Sequence, residues 1–201
     1  MKKINFNDRY GLTQAVLEGR KTMTRRNEFH DSEQRILNIE GVSRVLDNIG
    51  ITAMHHGQIQ MMIPFRYKVG EIVAVAQRYQ DIFDYSNCVN PYAWEDDDEP
   101  SGWTNKMFTK AELMPHRIRI TGVRCERLQD ISDEDCLKEG INASNSHEIG
   151  YGIPWVYEFA GSKMVYYTPR AAFASLIDKV SGKGTWQKNP WVWVYEFELV
   201  K

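Results

Sequence analysis

The sequence predicts an α+β fold, a small β-barrel with short helices between its strands. Three observations predict it. NPWVWVYEFELV at 189–200 sets Trp191, Trp193, Tyr195, Phe197 and Leu199 against Val192, Val194, Glu196 and Glu198, the alternation of a strand. HRIRITGVRCERL at 116–128 alternates too, Ile118 and Ile120 against Arg117, Arg119 and Thr121, and Gly122 inside it marks a bulge or a barrel corner. Helix signals fall between apolar strands in mixed order, which favours a small barrel over a doubly wound sheet.

Taken in order, KKINF reads as a short strand, and Asp8 is placed to cap a helix starting near Arg9. Leu12, Ala15 and Val16 follow the helical spacing, and Gly19 ends it. GRKTMTRR at 19–26 therefore begins at a helix end and runs into extended chain. Residues 27–63 read as an insertion over one side of the domain. It is helical in spacing at Ile36 and Ile39, then at Val42, Val45, Leu46 and Ile49, is broken by Gly41, and is followed by a strand in HHGQIQMMIPFRY. KVGEIVAVA turns into an apolar strand at about 72–79, and a polar, aromatic loop spans about 84–112 with the acidic run WEDDDEP at 94–100. Ser132–Asp135 starts a short helix that ends at Gly140. Residues 141–167 are irregular, with a strand around 155–159 or 163–167. Thr168-Pro169 opens a helix whose stripe is Phe173, Leu176, Ile177 and Val180, closed by Gly182.

The 201 residues suit a single domain, 1–201, carrying that insertion and that loop. The formal net charge of −2 excludes an all-over basic field, so any nucleic acid would be met by a local pocket. Cys88, Cys125 and Cys136 are far apart and odd in number, which points to free thiols and to neither a disulfide framework nor zinc. His55-His56 lacks a set of partner ligands, and the common nucleotide, metal and hydrolase motifs are missing, so no cofactor or metal is expected. No apolar run is long enough for a bilayer and MKKINFNDRY lacks a signal-peptide core, which predicts a cytoplasmic protein with no membrane partner.

The opening GRKTMTRR, then KVGEIVAV, RIRITGVRCERLQDIS, KEGI and the closing NPWVWVYEFELV together resemble the ASCH domain family of PUA-like barrels, in particular its longer bacteriophage and mobile-element forms. The resemblance covers roughly 1–26 and 64–200, and the family's GxKxxxxR pattern is met by Gly19, Lys21 and Arg26. It implies a barrel-mouth cleft that binds RNA or a modified nucleoside. A small bacterial branch, the N4-acetylcytidine amidohydrolases, works with a lysine, a threonine and a later glutamate. Carried over, these fall on Lys21, Thr24 and Glu139.

Metal-free amide hydrolysis needs a nucleophile, a base and donors for the oxyanion. Thr24 can attack. Lys21 serves either as a base, with its pKa depressed by burial and by Arg20, Arg25 and Arg26, or as a charged oxyanion donor. Glu139 sits at a predicted helix C-terminus, where the dipole disfavours its charge. Arg26 suits bidentate recognition. Arg20, Arg25, Arg26 and Arg119 are candidate ligand-binding cations, and Tyr79, Trp94 and Trp103 offer faces for a base. In a regular strand Lys21 and Thr24 would point to opposite faces, so their convergence requires an irregular step near Thr22-Met23. An acylated-nucleoside amidohydrolase and a non-catalytic RNA or nucleotide binder are the two functions this pattern supports.

Overall fold

The computed structural model describes residues 1–46, 48–56, 58–82, 101–145 and 154–200. The acidic run at 94–100, Trp94 and Cys88 lie outside the described residues. The fold is mixed α+β. Its main sheet has the order β1-β6-β7-β10-β2, from Lys3–Ile4 (β1), Met23–Arg26 (β2), Ile72–Val75 (β6), Arg117–Arg127 (β7) and Trp191–Val200 (β10). β1 runs parallel to β6, and the other neighbours are antiparallel.

β10 is the spine. It pairs with β7 over most of its length and with β2 on its other edge. The expected alternation holds, but both faces are covered: Val192 and Val194 are buried along with Trp193, Tyr195 and Phe197. Each such side chain removed from water contributes roughly 1.5–3 kcal/mol. The glycine in β7 sits where expected of a bulge. Ile120 faces Phe197 and Gly122 faces Glu196, so Thr121 is the extra residue. A Cβ on Gly122 would come within 3.0 Å of the Glu196 carboxylate.

A closed barrel is not found among the described residues, because β1 and β2 are both sheet edges. Side chains link what a ladder does not. The Arg26 guanidinium donates to Asn5 O at 2.5 Å, just past the end of β1.

The helices follow their signals with one correction. Asp8 does not cap a helix from Arg9. Asp8–Tyr10 form a 3-10 turn, Gly11 takes φ 63°, and only then does α1 (Leu12–Leu17) begin. The Asp8 carboxylate instead accepts from Thr13 Oγ1 and Lys106 Nζ. α3 is the short Tyr79–Ile82, so the strand predicted at 72–79 stops at Val75. α4 (Asp133–Lys138) is capped by Ser132, whose hydroxyl accepts from Asp135 N. α5 (Pro169–Ser181) is capped by Thr168, buries Phe173, Leu176 and Ile177, and leaves Val180 at the surface. α6 (Thr185–Lys188) follows Gly184.

The insertion is only partly helical. α2 (Asp31–Glu40) ends at Gly41 (φ 69°), and the remainder is the antiparallel sheet of β3 (Arg44–Leu46), β4 (Gly50–His55) and β5 (Gln58–Pro64). Of Val42, Val45, Leu46 and Ile49 only Val45 and Leu46 lie in a strand, β3, and Ile49 sits in the turn before β4, where Asn48 takes φ 56°. Ile39, predicted for the buried face of the helix, is 80% exposed, and Leu37 packs instead. The insertion leaves and rejoins the domain at one place. Phe29 and Phe65 both pack on Trp193, at ring distances of 4.6 and 5.1 Å. β8 (Asn142–Asn145) and β9 (Trp155–Glu158) form a small ribbon, and Tyr166 bridges to Tyr157. No helix among the described residues is long and apolar enough to cross a membrane.

Candidate active site

The irregular step required of GRKTMTRR is present. α1 stops at Leu17, Gly19 adopts φ 74°, and the amides of both Arg20 and Lys21 donate to Ala15 O. Strand pairing begins only at Met23, so Lys21 precedes the strand and is not bound by its period. Thr22 is pinned between elements: its amide donates to Lys138 O and its carbonyl accepts from Phe197 N. Thr24 then lies opposite Tyr195 in the β2–β10 ladder.

Glu139 is the C-cap of α4. Gly140 follows at φ 99°, a conformation other residues rarely adopt. A Cβ there would stand 3.3 Å from Leu12 and 3.7 Å from the Lys21 stem. The glycine thus lets α4 end against the lysine.

Lys21 is 2% exposed and its ammonium meets three oxygens: Met23 O at 2.7 Å, Glu139 O at 2.8 Å and Glu139 Oε2 at 2.6 Å. Burial holds its pKa below the ordinary lysine range, with Glu139 opposing that and Arg26 and Arg25 assisting it. The other Glu139 oxygen accepts from Arg25 Nη1 at 3.2 Å. Arg25 is also bound to Glu126 at 2.6 Å and to Asp135 at 2.8 Å, and Arg124 joins Asp135 at 2.6 Å. Charges of alternating sign therefore run from the half-buried Arg124 to the buried Lys21. Partnered carboxylates keep Arg25 charged in spite of its burial, and they raise its pKa. Asp135 is pulled below the ordinary carboxylate range by Arg25 and Arg124 against the opposing effect of its burial.

Lys21, Thr24, Arg25, Arg26 and Glu139 all line one pocket of about 110 Å³. The Thr24 side chain has no hydrogen-bond partner among the described residues. Arg26 lies over the Phe6 ring at 5.5 Å, and its Nε is buried without a partner, as is Asn5 Oδ1. The opposite wall is apolar, built from Phe173, Leu176, Ile177 and Val180 of α5. The sequence reading missed this wall, as well as Asn5, Asn7 and the two carboxylates, Glu126 and Asp135, that hold Arg25. The α5 stripe is legible as a helix face, but its place in a pocket wall is not.

Four candidates fall elsewhere. Arg20 is exposed and bound to Glu18 and to Asn142 Oδ1. Arg119 is exposed on the outward face of β7 and pairs with Glu198. Tyr79 is buried in a separate apolar cluster with Ala111 and Met114, and its hydroxyl accepts from Lys110 N, so its face is not offered to a ligand. Trp103 packs against that same cluster. Among the described residues no group of three His, Cys, Asp or Glu side chains could hold a metal.

No family model matches the chain, and no curated protein or solved structure matches it.

Proposed function

We propose that the chain is an ASCH-type, PUA-like protein whose pocket hydrolyses an N-acyl amide on a nucleobase, of the N4-acetylcytidine kind. The observation that carries this reading is the Lys21–Glu139 pair: a fully buried ammonium joined at 2.6 Å to a carboxylate, in the same pocket as an unpartnered threonine hydroxyl.

The ammonium's three hydrogens are already taken by three oxygens, so an oxyanion would have to displace one of them. That favours the base over the oxyanion donor among the two roles open to Lys21. Loss of one ammonium proton to water, which burial of the group favours, leaves a neutral amine. The amine takes the proton of Thr24 Oγ as that oxygen bonds to the acyl carbon, and the carbonyl π pair moves onto its oxygen. Collapse of the adduct breaks the C–N bond, and the departing base amine takes its proton from the Lys21 ammonium. Water then cleaves the threonyl ester and releases the acid. Arg26 and the apolar α5 wall would hold the base.

The test is hydrolysis of N4-acetylcytidine by the purified chain. Turnover that Lys21→Ala and Thr24→Ala each reduce by about a thousandfold, in folded variants, is the expected result. Absence of turnover, or turnover indifferent to both substitutions, overturns it and leaves the pocket as a binding site.

A further inference from the structure

Arg25 lines the Lys21 pocket, yet nothing of its head group is left for a ligand. The side chain is fully buried, and its guanidinium, with five N–H, makes five hydrogen bonds. Nε and Nη2 donate to Glu126 Oε1 at 2.9 and 2.6 Å, and Nη2 donates also to Asp135 Oδ2 at 2.8 Å. Nη1 donates to Met23 Sδ and to Glu139 Oε1, both at 3.2 Å. Arg26, the next residue, donates to Asn5 O and keeps an unpartnered Nε. Arg26 can therefore meet a ligand, and Arg25 cannot. The sheet register builds this arrangement. Arg25 lies opposite Val194 of β10, and Val194 lies opposite Arg124 of β7, so the two arginines stand on one face of the sheet. Asp135 of α4 accepts from both. Glu139, where α4 ends, then divides its carboxylate, with Oε1 on Arg25 and Oε2 on Lys21. Two contacts, one within α4 and one at its end, thus fix the carboxylate that faces the lysine.

This sharing bears on the base. A carboxylate held by Lys21 alone keeps the lysine charged, and one shared with a second cation holds the lysine's proton less firmly. The charged groups facing the ammonium are Glu139 from the end of α4 and Arg25 and Arg26 from β2. α5 presents apolar side chains and Ser181 to the pocket, and the Phe6 ring lies 5.8 Å from the ammonium. Arg25 in turn faces Glu126 and Arg124 from β7 and Asp135, Cys136 and Glu139 from α4, and Arg124 is paired with Glu196 of β10. We propose that Arg25 is a positioning residue for the Lys21 base: it fixes the Glu139 carboxylate in place and takes a share of its charge, so that the lysine can give up a proton. This rests on the base role of Lys21 in the hydrolytic reading, and it adds a residue that itself touches no substrate. Burial, Arg26 and Arg25 lower the Lys21 pKa and Glu139 opposes them, in accord with that division of charge.

The experiment has two readouts. One is kcat/KM for N4-acetylcytidine across pH. The other, independent of turnover, is the titration of the Lys21 ammonium, followed by NMR on chain labelled with 15N-lysine, with Lys21→Arg identifying the resonance. Arg25→Gln removes the second cation, so both inflections are expected to move up towards pH 10.5. Its kcat/KM is expected to fall by about tenfold at pH 7, and the deficit to narrow as pH rises. Arg25→Lys restores a charge and is expected to bring the inflections back towards those of the wild type. Asp135→Asn keeps Arg25 and removes a carboxylate that offsets it, so the inflections are expected to move the other way, which keeps the test open if Arg25→Gln does not fold. Titrations of Lys21 that move in these directions without any hydrolysis leave the positioning role standing and remove the hydrolytic reading. An equal loss of kcat/KM at every pH, with a Lys21 titration that none of the variants shifts, makes Arg25 a purely structural residue and overturns the proposal.

Discussion

Lys21 has three ammonium hydrogens and the fold supplies three oxygens, one of them charged. Removing that charge by Glu139→Ala leaves a buried cation with carbonyls alone and is expected to cost about 3–5 kcal/mol in a denaturant titration. Lys21→Arg keeps the charge but cannot give a neutral amine, so kcat is expected to drop by about a thousandfold with little change in KM. Thr24→Ser keeps the nucleophile and should retain activity. Because burial lowers the Lys21 pKa, the neutral amine forms below pH 10.5, and kcat/KM is expected to rise with pH and level off before that value. A profile that falls over this range would remove Lys21 from the base role. At this scale the sequence was informative where the argument was local. The period of two required Lys21 to sit outside the strand, and it does. Tyr79 and Arg119 were misplaced because their neighbours, Lys110 and Glu198, come from other parts of the chain.

Among the elements, α4 has the narrowest tolerance. Its cap, Ser132, and its stop, Gly140, were both legible as local chemistry. What no local signal carries is that the stop lies against Lys21. Gly140→Ala puts a Cβ 3.3 Å from Leu12 at a φ of 99°, and is expected to cost about 1–3 kcal/mol. Because the strain sits between Glu139 and the Lys21 stem, kcat should fall further than the melting temperature alone would suggest, which kinetics at a temperature well below melting will show. The insertion was the least legible element. Its apolar spacing fits a helix as well as short strands, and only tertiary pairing of β3, β4 and β5 decides between them. Gln34 shows the same limit. Its side-chain amide donates to Trp191 O and accepts from Trp191 N, extending the ladder on β10 by one step beyond β2, and nothing in the helical pattern announces that.

For the whole molecule, the buried thiols and phenols set the alkaline limit. Burial pushes Cys125 and Cys136 up to about 12 and raises Tyr67 and Tyr195 as well. Groups raised on folding contribute stability that is complete below their unfolded pKa and is lost as pH climbs through the folded one. Lys21 and Lys3, lowered on folding, act in the opposite sense but are two groups against four. Stability is therefore expected to decline from about pH 9 towards pH 12, read as a falling denaturation midpoint. A midpoint that holds or rises over that interval would contradict this. The sheet order was not legible, since alternation identifies strands without naming their neighbours. Its consequence bears on synthesis. β2, which carries Thr24 and Arg25, is an edge strand whose partner in the sheet is β10. A nascent chain therefore carries Lys21 and Thr24 early, yet β2 has no ladder partner in the main sheet until residues 191–200 have left the ribosome. Pairing of β2 therefore comes long after β2 itself is made, and a chain that stops short of residue 191 leaves this edge strand without its neighbour.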